Sequence, residues 1–147
     1  MKPVTKDDLL KYVPLKREIE NRMEYLARMK SHEFYPEAKE TDGSQHTGTA
    51  SDANAKAIEH RLEYEESIAP IIAQSRAEVE RIERAVAALE NPMEREIIRL
   101  RYLDPQFCRL PRWNDISIRI YGDDEEKYIR ACARIHRLAL QNLESLS

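Results

Sequence analysis

The sequence predicts an all-α protein, with an N-terminal long-helix hairpin or coiled-coil part over residues 1–90 and a C-terminal three-helix module over residues 91–147. Three observations carry this. Apolar residues recur at three- and four-residue steps through most of the chain, which is the helical period. Glycine occurs only three times in 147 residues, leaving little material for hairpin turns or for a loop that cradles phosphate. The one alternating stretch, Ile116, Ile118 and Ile120, has no second strand to pair with. Trp113, Ile116, Ser117 and Ile120 fit one helical face instead.

Each element can be justified in order. Thr5 with Asp8 reads as a capping box, starting a short helix that runs to about Tyr12. Pro14 then restarts the chain in a first helical turn. Leu15, Ile19, Met23, Leu26 and Met29 or Lys30 predict a helix over 14–31. Residues 32–51 hold almost no apolar side chains and cannot bury enough surface to offset the entropy of ordering, so a mobile loop is expected there. Ser51-Asp52 offers a cap for the next helix, over 52–89. Its stripe runs Ile58, Leu62, Ala69, Ile72, Val79, Ile82, Val86 and Leu89, with Glu65 and Arg76 filling the missing heptad places. Unbroken, that helix would span about 57 Å. Pro70 makes it either one bent helix or two helices meeting near Ala69.

Asn91-Pro92 caps and opens a helix with Met93, Ile97, Ile98, Leu100 and Leu103 as its apolar residues. Asp104-Pro105 ends it, and a loop containing Pro105 and Pro111 follows. The Trp113–Tyr121 helix closes on Gly122. Asp123 or Asp124 caps the last helix, which runs to about Leu146 with acids in its first turn.

Composition narrows the function classes. The chain is 41% hydrophobic and 35% charged, with a net charge of −3, which excludes a uniformly basic nucleic-acid binder. Residues 1–90 carry 14 Lys/Arg against 18 Asp/Glu, and residues 91–147 carry 10 against 9. Cys108 and Cys132 make no disulfide framework. The start lacks the apolar stretch of a signal peptide, and no apolar run reaches membrane-spanning length, so a soluble protein of a reducing compartment is expected. His32, His46, His60, His136 and the cysteines lack metal-ligand spacing, so neither metal nor cofactor is expected. His136 reads as a partly buried helix residue and Trp113 as core. No acid, base and pocket assemble in the pattern, so an enzyme is not expected.

The last helix carries the chemistry. Placed on a wheel at 100° per residue, Tyr128, Cys132, Ile135, Ala139 and Leu143 share one face, widened by Ile129 and Leu140. Lys127, Arg130, Arg134, Arg137 and Gln141 lie nearly opposite. A helix read into the major groove needs this division: a packed back, and Arg and Lys to reach phosphates and guanine edges. A short helix, a tight turn at Gly122 and a longer helix give the helix-turn-helix layout.

Three phrases resemble a known family. Glu94-Arg95-Glu96-Ile97-Ile98-Arg99-Leu100-Arg101-Tyr102 is similar to the first helix of sigma-factor region 4. Trp113-Asn114-Asp115-Ile116-Ser117 is similar to its next helix, and Ile135-His136-Arg137-Leu138-Ala139-Leu140-Gln141-Asn142-Leu143 to its closing segment. The polar Ser51-Asp52 segment and long helix upstream resemble prophage-encoded regulators of the RinA/ArpU type. The resemblance covers roughly residues 50–145. It implies a phage-type transcriptional regulator in the cytoplasm of a bacterial host, binding double-stranded promoter DNA without enzyme activity. It places Lys127, Arg130 and Arg134 toward DNA, with Arg137, Arg112 and Asn114 as further candidate contacts. Tyr128 or Ile129 and Ala133 would hold the reader helix. The chain departs from the family in a longer link over 103–112 and in four consecutive acids, Asp123 to Glu126.

Those acids and the acidic N-terminal part motivate an alternative: a protein-interaction module that grips RNA polymerase or another regulator without its own DNA specificity. The heptad stripe motivates a homodimer through helix 52–89, or a purely structural coiled coil.

Overall fold

Thr5 and Asp8 form the reciprocal cap that the sequence predicts. The Thr5 amide donates to Asp8 Oδ2 at 3.0 Å and the Asp8 amide to Thr5 Oγ1 at 3.4 Å. In the computed structural model, which describes residues 2–34, 47–104 and 110–146, this cap opens α1, Lys6–Phe34. There follow α2 (Thr47–Ala87), α3 (Pro92–Ile98) running into a π-helical turn (Arg99–Leu103), α4 (Trp113–Tyr121) and α5 (Glu126–Ser145). Among the described residues there is no strand, so the chain is all-α. No helix among them is long and apolar enough to cross a membrane.

Several boundaries correct the sequence reading. Pro14 does not restart the chain, and of the two alternatives at Pro70 the single helix is found: both prolines lie inside continuous helices. Each proline is exposed, as is the residue four positions before Pro14, Leu10. The carbonyl that loses its intrahelical donor there is on the wet side, where water can replace the bond. The expected loop over 32–51 is helical as far as Phe34 and again from Thr47, so Ser51-Asp52 falls within α2 and is not its start. The stretch 35–46 lies outside the described residues, as do Pro105 and Cys108.

The stripe of α2 is also shifted. Ile72, Val79, Ile82 and Val86 are buried as expected, with Leu89 just beyond the helix, but the buried residue one turn earlier is Ile68 and not Ala69. Ser75 is half-buried in the place given to Arg76, which is exposed. Ile58 and Leu62 are 41% and 51% exposed. The face that packs runs through Arg61, Glu65, Ile68, Ile72, Ser75, Val79, Ile82, Val86 and Leu89, a regular four-three alternation. The two apolar residues at 58 and 62 pull the sequence reading one step off it.

The chain forms two compact units, residues 1–16 with 77–147, and residues 17–76. In the second, Leu26, Ile68 and Ile72 make a core covered by Ile19 and Tyr64. Tyr25 meets Tyr64 edge-on at 5.0 Å, and Lys30 approaches Glu65 at 3.9 Å. Burying each large aliphatic side chain contributes roughly 1.5–3 kcal/mol, well above such an exposed ion pair.

The first unit gathers Val4, Leu9 and Tyr12 with the end of α2 and the three C-terminal helices. Arg81 ties its N-terminal segment down. Its guanidinium reaches Glu78 at 2.6 Å, Asp8 at 3.1 Å and the Lys2 carbonyl at 2.8 Å. Burial pushes the Asp8 carboxyl up, but the Thr5 amide and Arg81 more than reverse this and hold it below its ordinary value. The hydrogen bonds from Arg81 likewise hold Glu78 low. Tyr12 donates to Glu83 at 2.5 Å. Asn91 Oδ1 accepts from the Met93 amide at 2.9 Å, the cap expected before Pro92. Arg95 reaches back to the Leu89 carbonyl, closing an end of α2 that would otherwise leave carbonyls unpaired.

Candidate nucleic-acid interface

The turn between α4 and α5 is built from three short interactions. Gly122 adopts φ 75°, ψ 9°, and its amide donates to the Ile118 carbonyl at 2.8 Å. That left-handed conformation costs most other residues energy and costs glycine little. The buried Ser117 hydroxyl donates to the Asp123 carbonyl at 2.6 Å. Asp123 Oδ1 then accepts from the Glu125 amide at 3.1 Å. Neither Asp123 nor Asp124 caps α5, as the sequence suggests; the cap position is Glu125, without a side-chain bond, and only Glu126 lies in the first turn. The acid at 123 is used one step earlier, to shape the turn.

This turn delivers α5 onto its neighbours. Ile97, Leu100, Ile116 and Cys132 form a core, with Trp113, Ile120, Tyr121 and Ile135 packed around it. Cys132, Ala139 and Leu143 are fully buried on α5. Burial pushes the Cys132 thiol up, so it packs there as a protonated, apolar group. Tyr128, Ile129 and Ala133 are half-buried, and Tyr128 stacks on Tyr121 at 4.9 Å. At the far end, Asn142 donates to both oxygens of Glu94, at 2.8 and 3.0 Å. Glu94 is only 4% exposed, so this amide satisfies a carboxylate that α3 carries inside.

Behind α5 lies a polar layer that sequence reasoning missed. Tyr102 Oη and His136 Nε2 are 2.6 Å apart, and their rings stack. Trp113 meets His136 edge-on at 4.8 Å. Arg101 lies over the Trp113 ring at 4.6 Å and donates to the Pro111 carbonyl. Desolvation first, then the charges of Arg101 and Lys6, push His136 down to about 4. The ring is therefore neutral near pH 7, and its Nε2 can accept the Tyr102 hydroxyl. The π-helical turn contributes here: it ends with the Asp104 amide donating to the Arg99 carbonyl at 2.9 Å, and both Arg101 and Tyr102 belong to it. The partly buried character of His136 is legible from the sequence. Its partners are not, because Tyr102 and Trp113 lie on other elements.

The opposite face of α5 is open. Lys127, Arg130, Arg134, Arg137 and Gln141 are all exposed. Arg130 meets Glu126 at 2.6 Å and Lys127 meets Glu125 at 3.7 Å. The Lys127 and Arg130 side chains are 68% and 76% exposed, so such pairs contribute roughly 0–1 kcal/mol and yield to a stronger anion. Arg112 and Asn114 are exposed on another element, at the start of α4, where Arg112 supplies the cap carbonyl to the Ile116 amide at 3.2 Å. The α5 candidates thus share one exposed face of that helix, while Arg112 and Asn114 belong to the start of α4. Among the described residues no group of three or more His, Cys, Asp or Glu could hold a metal ion.

No protein-family model, curated protein or solved structure matches this chain.

Proposed function

We propose that the chain is a phage-type transcriptional regulator that binds double-stranded promoter DNA, with α4 and α5 as a helix-turn-helix and α5 in the major groove. One observation carries the reading: α5 is divided into a buried apolar face and an exposed ridge of Lys127, Arg130, Arg134 and Arg137. A groove-reading helix requires that division, with cations to neutralise phosphates and a back that fixes its register. In this reading Arg112 and Asn114, exposed at the start of α4, are the contacts that a supporting helix makes with the DNA backbone. The resemblance to RinA/ArpU-type regulators supports the same reading and carries with it the cytoplasm of a bacterial host. In the same reading the long helices α1 and α2 serve as a scaffold for the module.

The test is selection of fragments from a random-sequence DNA library by the purified chain, run beside Arg130→Glu/Arg134→Glu. Enrichment of one short site, lost in the variant while far-UV helicity is unchanged, is the expected result. Equal enrichment by both proteins would sink the proposal.

A second reading has its own observation. Glu125 and Glu126 stand beside Lys127 and Arg130 and pair with them, placing negative charge at the tip of the helix that would enter the groove. A module that grips RNA polymerase through this tip, without DNA specificity, explains those acids directly. Retention of polymerase with no enriched site would favour it. A homodimer through α2 has a narrow basis. Of the stripe's large aliphatic residues, only Ile58 and Leu62 face solvent. Light scattering of the wild type beside Ile58→Lys/Leu62→Lys tests for the dimer, and equal masses would remove it.

A further inference from the structure

Within the unit formed by residues 1–16 and 77–147 there is a cavity of about 170 Å3. Its apolar wall is made by Val4, Ala85, Ala88, Leu143 and Leu146, with Pro3 beside them. Its polar lining is Lys2, Arg81 and Arg84, and no carboxylate lines it. The three cations are not equivalent. Arg81 is already committed to Glu78, Asp8 and the Lys2 carbonyl. Arg84 uses only its Nε, on the Glu80 carbonyl at 3.4 Å. Among the described residues neither Lys2 nor Arg84 has an ion-pair partner, although the Lys2 charge is close enough to lower Glu78.

An apolar cavity of roughly 150 Å3 holds a six-carbon ring, so this one suits a tail of about that size. Lys2 and Arg84 are both exposed, and no carboxylate lines the cavity; two like charges beside an apolar wall draw an anion to one end of the tail. We propose that this cavity is a binding site for a short-chain monocarboxylate of about six carbons. The carboxylate meets Lys2 and Arg84, and the tail lies between Val4, Ala88 and Leu143. Leu143 and Leu146 sit at the end of α5, so occupancy braces the last turn of that helix. The site does not depend on the DNA-binding reading and is tested on DNA-free protein.

The probe is hexanoate, titrated into the full chain by calorimetry beside hexanol, which has the tail without the charge, and acetate, which has the charge without the tail. The expected result is saturable hexanoate binding, at least about tenfold tighter than either control. Lys2→Gln/Arg84→Gln should weaken hexanoate about tenfold or more while leaving hexanol unchanged, and Ala88→Leu, which fills the cavity, should weaken both hexanoate and hexanol. Far-UV helicity identifies a variant that fails to fold, and the three wild-type titrations then decide alone. Hexanoate that does not saturate at millimolar concentration, or that binds no better than hexanol or acetate, would overturn the proposal.

Discussion

Gly122 and Ser117 hold the turn on which α5 depends. Gly122 sits at φ 75° with nothing within 4 Å of where a Cβ would stand. Gly122→Ala should therefore cost about 1–2 kcal/mol from backbone conformation alone, with no clash to relieve. Urea denaturation measures it, and Gly122→Asn should cost less, because asparagine tolerates the left-handed region. His136 makes a pH prediction. Its folded value, about 4, lies below the ordinary 6.5. The unfolded chain therefore binds more protons between these values, and stability falls as pH drops from 6.5 toward 4. The loss is complete below 4. His136→Phe should flatten this part of the profile relative to wild type, read as the difference between denaturation midpoints at pH 7 and pH 4.5. The carboxylates held low, Asp8 and Glu78, lose their contribution at lower pH in both proteins and cancel in that difference.

At the scale of elements, the prolines inside α1 and α2 are the clearest departure from sequence rules. Proline in a helix interior costs up to about 3 kcal/mol relative to alanine. Both are exposed, so neither contributes a buried contact in return. Pro14→Ala and Pro70→Ala should each stabilise the chain, by up to that amount, in thermal or urea unfolding. A loss of stability in either would mean that the proline sets a bend its helix requires. The link between α3 and α5 gives the opposite sign. Asn142→Ala leaves the buried Glu94 carboxylate without its donor, at a cost of about 1–3 kcal/mol. Periodicity identifies the helices but not these effects. Glu94 lies in a first helical turn beside Arg95 and Glu96, where an acid is expected for the dipole alone, and its burial goes with the bond it receives from Asn142 of α5.

For the whole molecule, the expected signature of DNA binding is electrostatic. If the four ridge cations each neutralise one phosphate, the logarithm of affinity should fall with the logarithm of salt at a slope of about −3.6. Arg130→Glu/Arg134→Glu should flatten that slope as well as weaken binding. Glu126→Gln should act the other way. It frees Arg130 from a partner at 2.6 Å and removes a charge near the phosphates, so affinity should rise. Affinity that falls in Glu126→Gln would favour the reading in which the acidic tip meets a protein.

The all-α class, the capping box at Thr5, the cap at Asn91, the closing glycine at 122 and the two faces of α5 are all legible in the sequence. Each is local: it depends on residues within one or two turns, and helical period and cap chemistry report such relations directly. The register of α2 is not local. Ile58 and Leu62 have the spacing of a core stripe, yet Ile68 and Ile72 are the residues that pack with Leu26 and Ile19 of α1, because which side of a helix is covered depends on where its partner lies. The fate of Pro14 and Pro70 is decided the same way, since an exposed proline leaves its lost bond to water and a buried one does not. The bond between Tyr102 and His136, 34 residues apart, and the cavity that joins Val4 to Leu143 exist only once distant segments meet. Sequence pattern determined what each segment becomes; tertiary packing decided which face, which partner and which enclosed space each one acquired, because burial is a property of the assembled chain and not of any window within it.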